Sequence, residues 1–163
     1  MWRKCIEELK RIFSSLKTYN LLHVSGFKLL VKKRFKMKSY RDLEIYTESK
    51  RLAIEIHKIS LSLPKFELYE EGSQIRRASK AVTSAIVEGY GRRRYKADFI
   101  RFLIYAQSEC DETIVHLDFL FETQSLIEKS AYDKLRIEYE SLSKKINKFI
   151  QYVDESWNDL SES

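Results

Sequence analysis

Proline occurs once and glycine four times in 163 residues. A β-rich chain of this length needs many tight turns, and turns draw on Gly, Pro and Asn for their positive or fixed φ values. The scarcity points to long helices joined by short connections. Cysteine is also sparse. Cys5 and Cys110 stand far apart without CxxC spacing, which indicates neither a zinc site nor a disulfide framework. No run reaches the roughly 18 apolar residues of a membrane span, and the N-terminus lacks an apolar region followed by a small-residue cleavage site. Together these absences predict a cytoplasmic protein. Catalytic signatures are missing as well: there is no Glu-x-x-His pair of the kind that builds metal bundles, no P-loop, no dinucleotide glycine motif, and no Ser or Cys nucleophile with an identifiable base. Glu112 and His116, with Asp111 beside them, come nearest to a metal pair, but four-residue spacing is that of an ordinary surface pair. The expectation is a binding protein with no cofactor and no metal, not an enzyme.

What the chain does hold is charge, unevenly placed. Hydrophobic residues make up 44% and charged residues 33%, a composition that can bury a core in one domain. The net charge of +6 conceals large local differences. Residues 1–36 carry ten Lys or Arg against Glu7 and Glu8, a surplus of +8. In the remainder, residues 73–101 carry eight Lys or Arg against Glu88 and Asp98, giving +6, whereas residues 102–163 sum to −7.

Residues 1–20 place Trp2, Ile6, Leu9, Ile12 or Phe13 and Leu16 at helical spacing among Arg3, Lys4, Lys10, Arg11 and Lys17. This spacing predicts a short amphipathic helix, and residues 21–36 mix apolar clusters with a basic tail, a basic amphipathic segment of the kind that lies on anionic membrane, on nucleic acid or on a partner. Met37 opens a segment that reads as a complete domain. Residues 1–36 are therefore either a helical or flexible extension or the product of an upstream start codon that the cell seldom uses. The first helix of the body is expected over residues 41–61, capped near Ser39 to Asp42 and stopped before Pro64. Its stripe is Leu43, Tyr46, Ala53, Ile56 and Ser60, flanked by Leu52, Ile59 and Leu63. His57 beside it is a packing or surface histidine. Residues 64–72 form a connection in which Phe66 and Leu68 tuck against the bundle end. The third helix spans about 96–123, with Phe99, Phe102 or Leu103, Ala106, Cys110, Ile114, Leu117 and Phe121 inward, Cys110 serving as a small apolar residue. The fourth starts near Ser130 and Asp133 and carries Leu135, Tyr139, Leu142, Ile146, Phe149 and Val153 in alternating fours and threes, the seam of bundle packing. The architecture predicted is an all-α, up-down-up-down four-helix bundle over residues 37–156, followed by a polar tail, 157–163, that frays.

The second helix sits in the basic segment. Ile75, Ala78, Val82, Ala85 and Ile86 share one face, with Arg76, Arg77, Lys80 and Ser84 off it. Ser73 is the expected N-cap, and Gly89 and Gly91 are expected to end the helix in left-handed backbone. Arg92, Arg93, Arg94 and Lys96 follow directly. Clustered Lys and Arg bind phosphates with counterion release, and Tyr90 and Tyr95, flanking the arginines, are placed to stack on exposed bases. The candidate nucleic-acid-binding residues are therefore Arg76, Arg77, Lys80, Arg92, Arg93, Arg94, Lys96 and Arg101. A second role stays open for Arg76, Arg77 and Arg101, as partners of Glu88, Glu109 or Glu112 within the bundle or between subunits. A rival function is a protein-interaction module that assembles with itself or binds an enzyme such as a polymerase or reverse transcriptase through its acidic third and fourth helices.

Three stretches carry a family resemblance: MKSYRDLEIY at residues 37–46, SQIRRASKAVTSAIVEGYGR at 73–92 and DFIRFLIYAQSECDETIVHLDFLFETQSL at 98–126. They resemble the four-helix bundle proteins encoded in intervening sequences of bacterial 23S ribosomal RNA genes. The sequence is also similar, more distantly, to the accessory proteins of diversity-generating retroelements. The resemblance implies a bundle that assembles into a ring-shaped homopentamer, with nucleic-acid binding known for the retroelement relatives. The arginine-rich motif of the family maps onto Arg76, Arg77 and Arg92, with Arg101 in the FxRFL-like segment. Residues 1–36 have no counterpart, and Gln124 stands where many members have glycine.

Overall fold

The computed structural model describes residues 23–24, 27–28, 38–126 and 128–156, and the chain divides into two units, Met1–Arg34 and Phe35–Ser163. In the first unit, β1 (His23–Val24) and β2 (Phe27–Lys28) pair antiparallel, with His23 opposite Lys28. The amphipathic helix expected over residues 1–20 and the tail beyond Trp157 lie outside the described residues.

In the second unit the chain enters through a capped turn. The Ser39 hydroxyl accepts from the Arg41 N–H, and the Asp42 carboxylate accepts from the N–H groups of Ser39 and Lys38. This reciprocal box closes a 3₁₀ turn, Tyr40–Asp42. Extended backbone at Leu43 then separates the turn from helix α1 (Glu44–Ser60), so the helix expected from residue 41 starts three residues later. Pro64, whose ring fixes φ near the helical value, precedes a short helix, α2 (Lys65–Tyr69), where only a connection was expected. The burial there is the reverse of the sequence expectation. Phe66 is 67% exposed and Leu68 only half-buried, while Glu67 is 8% exposed and accepts a hydrogen bond from the Ser125 hydroxyl at 2.9 Å. A single helical turn leaves room for one inward side chain, and the carboxylate that meets a hydroxyl takes it.

Helix α3 (Glu71–Gly91) begins two residues before Ser73 and has no side-chain cap. It also runs through Gly89 without the left-handed turn expected there. Gly89 is needed for space instead: a Cβ at this position would sit 2.9 Å from Phe102 Cβ and 3.3 Å from Phe99 Cδ2. The glycine thus sets how closely α3 approaches α4 (Lys96–Glu122). The left-handed residue lies elsewhere, at Gln124 with φ 60°, in the connection to α5 (Lys129–Glu155). That last helix starts ahead of the expected Ser130, whose hydroxyl donates to Glu128.

Side-chain pairings fix the helix directions. Lys145 meets Glu44 and Glu48 while Lys134 meets Glu55, so α1 and α5 run antiparallel. Thr83 with Ser49 and Arg76 with Ser60 set α3 against α1. Glu71 with His116 and Gly89 near Phe102 set α3 against α4, and Asp118 with Arg136 and Phe99 with Phe149 set α4 against α5. Each long helix packs on its sequence neighbour, and α5 closes on α1, which is the up-down-up-down order.

The buried core includes Leu52, Ile56, Ile75, Val82, Ile86, Phe99, Leu103, Leu117, Tyr139, Leu142 and Ile146. At ~25 cal/mol per Å², each fully buried aliphatic side chain stabilises by roughly 1.5–3 kcal/mol. On α4 the expected inward Ile114 and Phe121 are only half-buried, and Thr113 and Leu120 take the core positions. Phe121 stacks on Tyr132 at the α4–α5 edge, with ring centres 4.2 Å apart. On α1 the core includes Ile45 and Leu52, while Tyr46 lies at the margin.

Candidate nucleic-acid interface

The turn after α3 is fixed by its own backbone. The Arg92 N–H donates to Glu88 O and Gly89 O, the Arg93 N–H to Tyr90 O, and the Tyr95 N–H to Arg92 O at 2.9 Å. Tyr95 is extended and precedes α4 directly. With the main chain thus closed on itself, the side chains of residues 92–95 project outward, and all four are exposed.

Rings beneath them hold the arginines. Arg93 Cζ lies 4.2 Å from the centre of the Tyr90 ring, and one guanidinium nitrogen donates to Tyr90 O at 3.0 Å. Arg92 Cζ lies 4.9 Å from the Phe102 ring. Tyr90 touches Tyr40 edge to face, at 6.3 Å between centres, and Arg41 lies 4.7 Å over that second ring. A guanidinium resting on an aromatic face keeps its N–H donors at the edge and loses less side-chain freedom when a flat anion arrives. Arg41, Arg92 and Arg93 are thus pre-oriented, and Arg94 stands exposed beside them.

The remaining sequence candidates are placed differently. Arg76 is half-buried. It donates to the Ser60 hydroxyl at 3.1 Å and to Leu68 O at 2.9 Å, bracing α3 against the end of α1 and the α2 turn. Arg77 is exposed and bonds to Ser73 one turn earlier. Neither of them pairs with Glu88, Glu109 or Glu112, and Arg101 pairs with Asp98 at 2.9 Å. Lys96 bonds to the Asp154 carbonyl at 2.7 Å and to its carboxylate at 2.8 Å, where a cation also offsets the negative end of α5. Lys80 lies away from the turn, on a groove between α1 and α3. Tyr90, expected to stack on bases, is 5% exposed and serves as the seat for Arg93, whereas Tyr95 is 62% exposed. Arg41 was missed by sequence reasoning. Its only local signal is the adjoining Tyr40, and its approach to the turn arises from packing between Tyr40 and Tyr90.

Elsewhere several charges are matched. The hydrogen bond from Lys134 draws the Glu55 carboxyl below its ordinary value, with Arg51 adding to the effect, and Glu44 and Glu48 hold the Lys145 ammonium above its own. The bond to Asp118 raises the Tyr132 hydroxyl, and burial, then Glu112, raise Glu109. Cys110 is fully buried, and burial drives its thiol far up, against any nucleophilic use. His116, expected as a surface pair with Glu112, bonds to Glu71 at 2.7 Å and approaches Glu112 at 3.6 Å. Among the described residues no group of three His, Cys, Asp or Glu is arranged to hold a metal ion, and no helix is long and apolar enough to cross a membrane.

A family model described as 23S rRNA-intervening sequence protein matches residues 41–148. The chain belongs to this family. Its matched span runs from Arg41 to Lys148 and takes in the whole arginine-bearing end, along with most of α5. A solved structure, described as a protein with unknown function from the S23 ribosomal protein family of Bacteroides thetaiotaomicron, is similar at 22% identity with a TM-score of 0.58. The alignment covers 65% of this chain and 97% of that one, and it supports the bundle fold. A search of curated proteins gives no match.

Proposed function

We propose that this family member binds nucleic acid, as structured RNA or DNA, through the arginine-bearing end of the bundle, and that it does so without catalysis. The observation that carries the reading is the set of guanidinium groups laid on rings: Arg41 on Tyr40, Arg93 on Tyr90 and Arg92 on Phe102, with Arg94 and Tyr95 exposed at their side. Their outward donors suit phosphate oxygens, and Tyr95 suits a base. Binding of this kind follows the backbone and carries little sequence information. Arg77, Lys80, Lys96 and Arg101 contribute long-range attraction, while Arg76 acts inside the fold. Assembly of copies into a homopentamer, the state that the family resemblance implies, would multiply each modest patch by avidity. The protein works in the cytoplasm on this reading.

A second reading has its own support. The outward face of α4 carries Ile104, Val115 and Phe119, each about half exposed, beside Asp111 and Glu112. An apolar and acidic stripe suits a protein partner, such as a reverse transcriptase, better than it suits a nucleic acid.

The test is binding of a fluorescent structured RNA and a DNA duplex to the full chain at about 50 and 200 mM salt, beside a variant with Arg92, Arg93 and Arg94 changed to Ala. Salt-sensitive binding that the variant loses while it still folds and assembles is the expected result. Equal binding by the variant would move the function away from the turn.

A further inference from the structure

In three of the four helix seams a carboxylate of one helix meets a basic side chain of the other. Across α1 and α5, Lys145 meets Glu44 and Glu48, Lys134 meets Glu55, and Arg51 meets Glu138. Across α4 and α5, Arg136 meets Asp118 and Lys96 meets Asp154. Across α3 and α4, His116 meets Glu71. The α1–α3 seam differs. Its cross-links are neutral or one-sided: Thr83 to Ser49, and Arg76 to Ser60. No ion pair among the described residues crosses it.

What this seam has instead is a groove of about 430 Å³, with Lys50 and His57 on one wall, Lys80 on the other, and Ala53 and Ile54 along its apolar floor. Ile54 is 47% exposed there, and no carboxylate lines the groove. Apolar surface between two cationic walls is the inverse of an acidic amphipathic helix. The volume suits one or two aliphatic side chains, at the lower end of the range typical of ligand pockets. The lining contains no arginine and no Phe, Tyr or Trp ring, the groups gathered at the other site. A lysine ammonium on each wall, Lys50 and Lys80, suits a carboxylate on either flank of a segment laid between them.

From these facts we infer that the α1–α3 groove is a docking site for an acidic helical segment of a partner protein. A leucine-type side chain of the segment rests on Ala53 and Ile54, and glutamate or aspartate carboxylates on its flanks meet Lys50 and Lys80. The carboxylates that the other seams find within the chain are supplied to this seam by the partner. The inference is independent of the arginine turn and holds whether or not that turn binds nucleic acid.

The probe is a short fluorescein-labelled peptide, acetylated and amidated, with leucines one helical turn apart on a face flanked by glutamates. Its control has glutamine in place of each glutamate. Anisotropy is measured against the full-length protein, a Lys50→Gln/Lys80→Gln variant and an Ile54→Asp variant, with circular dichroism and melting confirming that each is folded. The expected result is saturable binding that weakens about fivefold in the double lysine variant and to a similar extent with the glutamine peptide, since each exposed ion pair is worth a factor of a few, and that is lost in Ile54→Asp. Four outcomes would overturn the inference: no binding at millimolar peptide; equal binding by wild type and both variants; a change of oligomeric state in the variants, which would give the groove to a second copy; or a selective loss of RNA binding in Lys50→Gln/Lys80→Gln with no peptide effect, which would give it to nucleic acid.

Discussion

The two ends of α3 use arginine in opposite ways. Near its start, Arg76 turns inward and spends its donors on a buried hydroxyl and a main-chain carbonyl. Just beyond its end, Arg92 and Arg93 rest over aromatic rings and are exposed to solvent. One side chain is a strut and the others are presented to solvent, although all three fall in the same basic segment. What separates them is the neighbour supplied by the fold. Acceptors at the α1 end and the α2 turn draw the Arg76 guanidinium in, whereas the Tyr90 and Phe102 rings hold Arg93 and Arg92 at the surface.

The most direct way to break this contrast is to disturb the seat of the outward arginines. Gly89→Val drives a branched side chain into Phe102 and Phe99 and is expected to cost about 2–3 kcal/mol by overpacking, read as a lower midpoint in urea, with weaker RNA binding as the turn shifts. Arg76→Ala should cost about 1–3 kcal/mol, because it leaves Ser60 and Leu68 O short of a partner, and should leave RNA affinity almost unchanged. Lysine at this position should not restore the loss, since a single ammonium cannot span both acceptors in the manner of the fork.

A pH series sharpens the comparison between paired and ring-held cations. The Glu55 carboxyl sits below its usual 4.5, so its share of stability is present above that pH and is lost as pH falls through the lower folded value. The Lys145 ammonium is raised above 10.5, so its share is full below that pH and is lost as pH rises through the higher folded value. The α1–α5 seam should therefore weaken at both extremes, by roughly 1 kcal/mol at most for such partly exposed pairs. Among the described residues Arg92 and Arg93 make no ion pair, and their chemical shifts should not follow the acid transition of the seam. The smallest effect belongs to a residue outside both regions. Gln124→Gly relieves a non-glycine residue at φ 60° and should stabilise by no more than about 1 kcal/mol, because the extra freedom of glycine in the unfolded chain offsets part of the gain. Chemical denaturation would show it.

Much of this was legible in the sequence. Three-four periodicity located four helices and the inward Leu135, Tyr139, Leu142, Ile146 and Val153, because a long amphipathic helix leaves one choice of face. The missed details depend on contacts between elements. Gly89 was read as a helix stop because a glycine near a helix end signals local backbone freedom, while its clearance from Phe102 is tertiary. Phe66 was placed inside on hydrophobicity alone, but the hydroxyl of Ser125 brought Glu67 inward. Thr113 and Leu120 take the core in place of Ile114 and Phe121 because the buried set on α4, from Phe99 to Leu120, keeps a strict alternation of fours and threes, the seam of bundle packing, and a threonine at one of its positions hides that register from a reading by hydrophobicity. At the site, the run of Arg92, Arg93 and Arg94 was visible as a cluster of charge. The rings beneath it, and the arrival of Arg41 through Tyr40, required the fold.

The division of the arginines of one segment into a strut and a proposed binding edge follows from the fold. It is tested most directly by making Arg76→Ala and the triple Arg92→Ala, Arg93→Ala, Arg94→Ala variant in parallel, and measuring urea stability and RNA affinity on both. The account predicts a crossed result. Arg76→Ala should lose stability by about 1–3 kcal/mol and keep its affinity. The triple variant should keep its stability within about 1 kcal/mol and lose affinity on the order of a hundredfold at low salt, with a shallower salt dependence. If both variants lost stability alone, or both bound RNA like the wild type, the division would be contradicted.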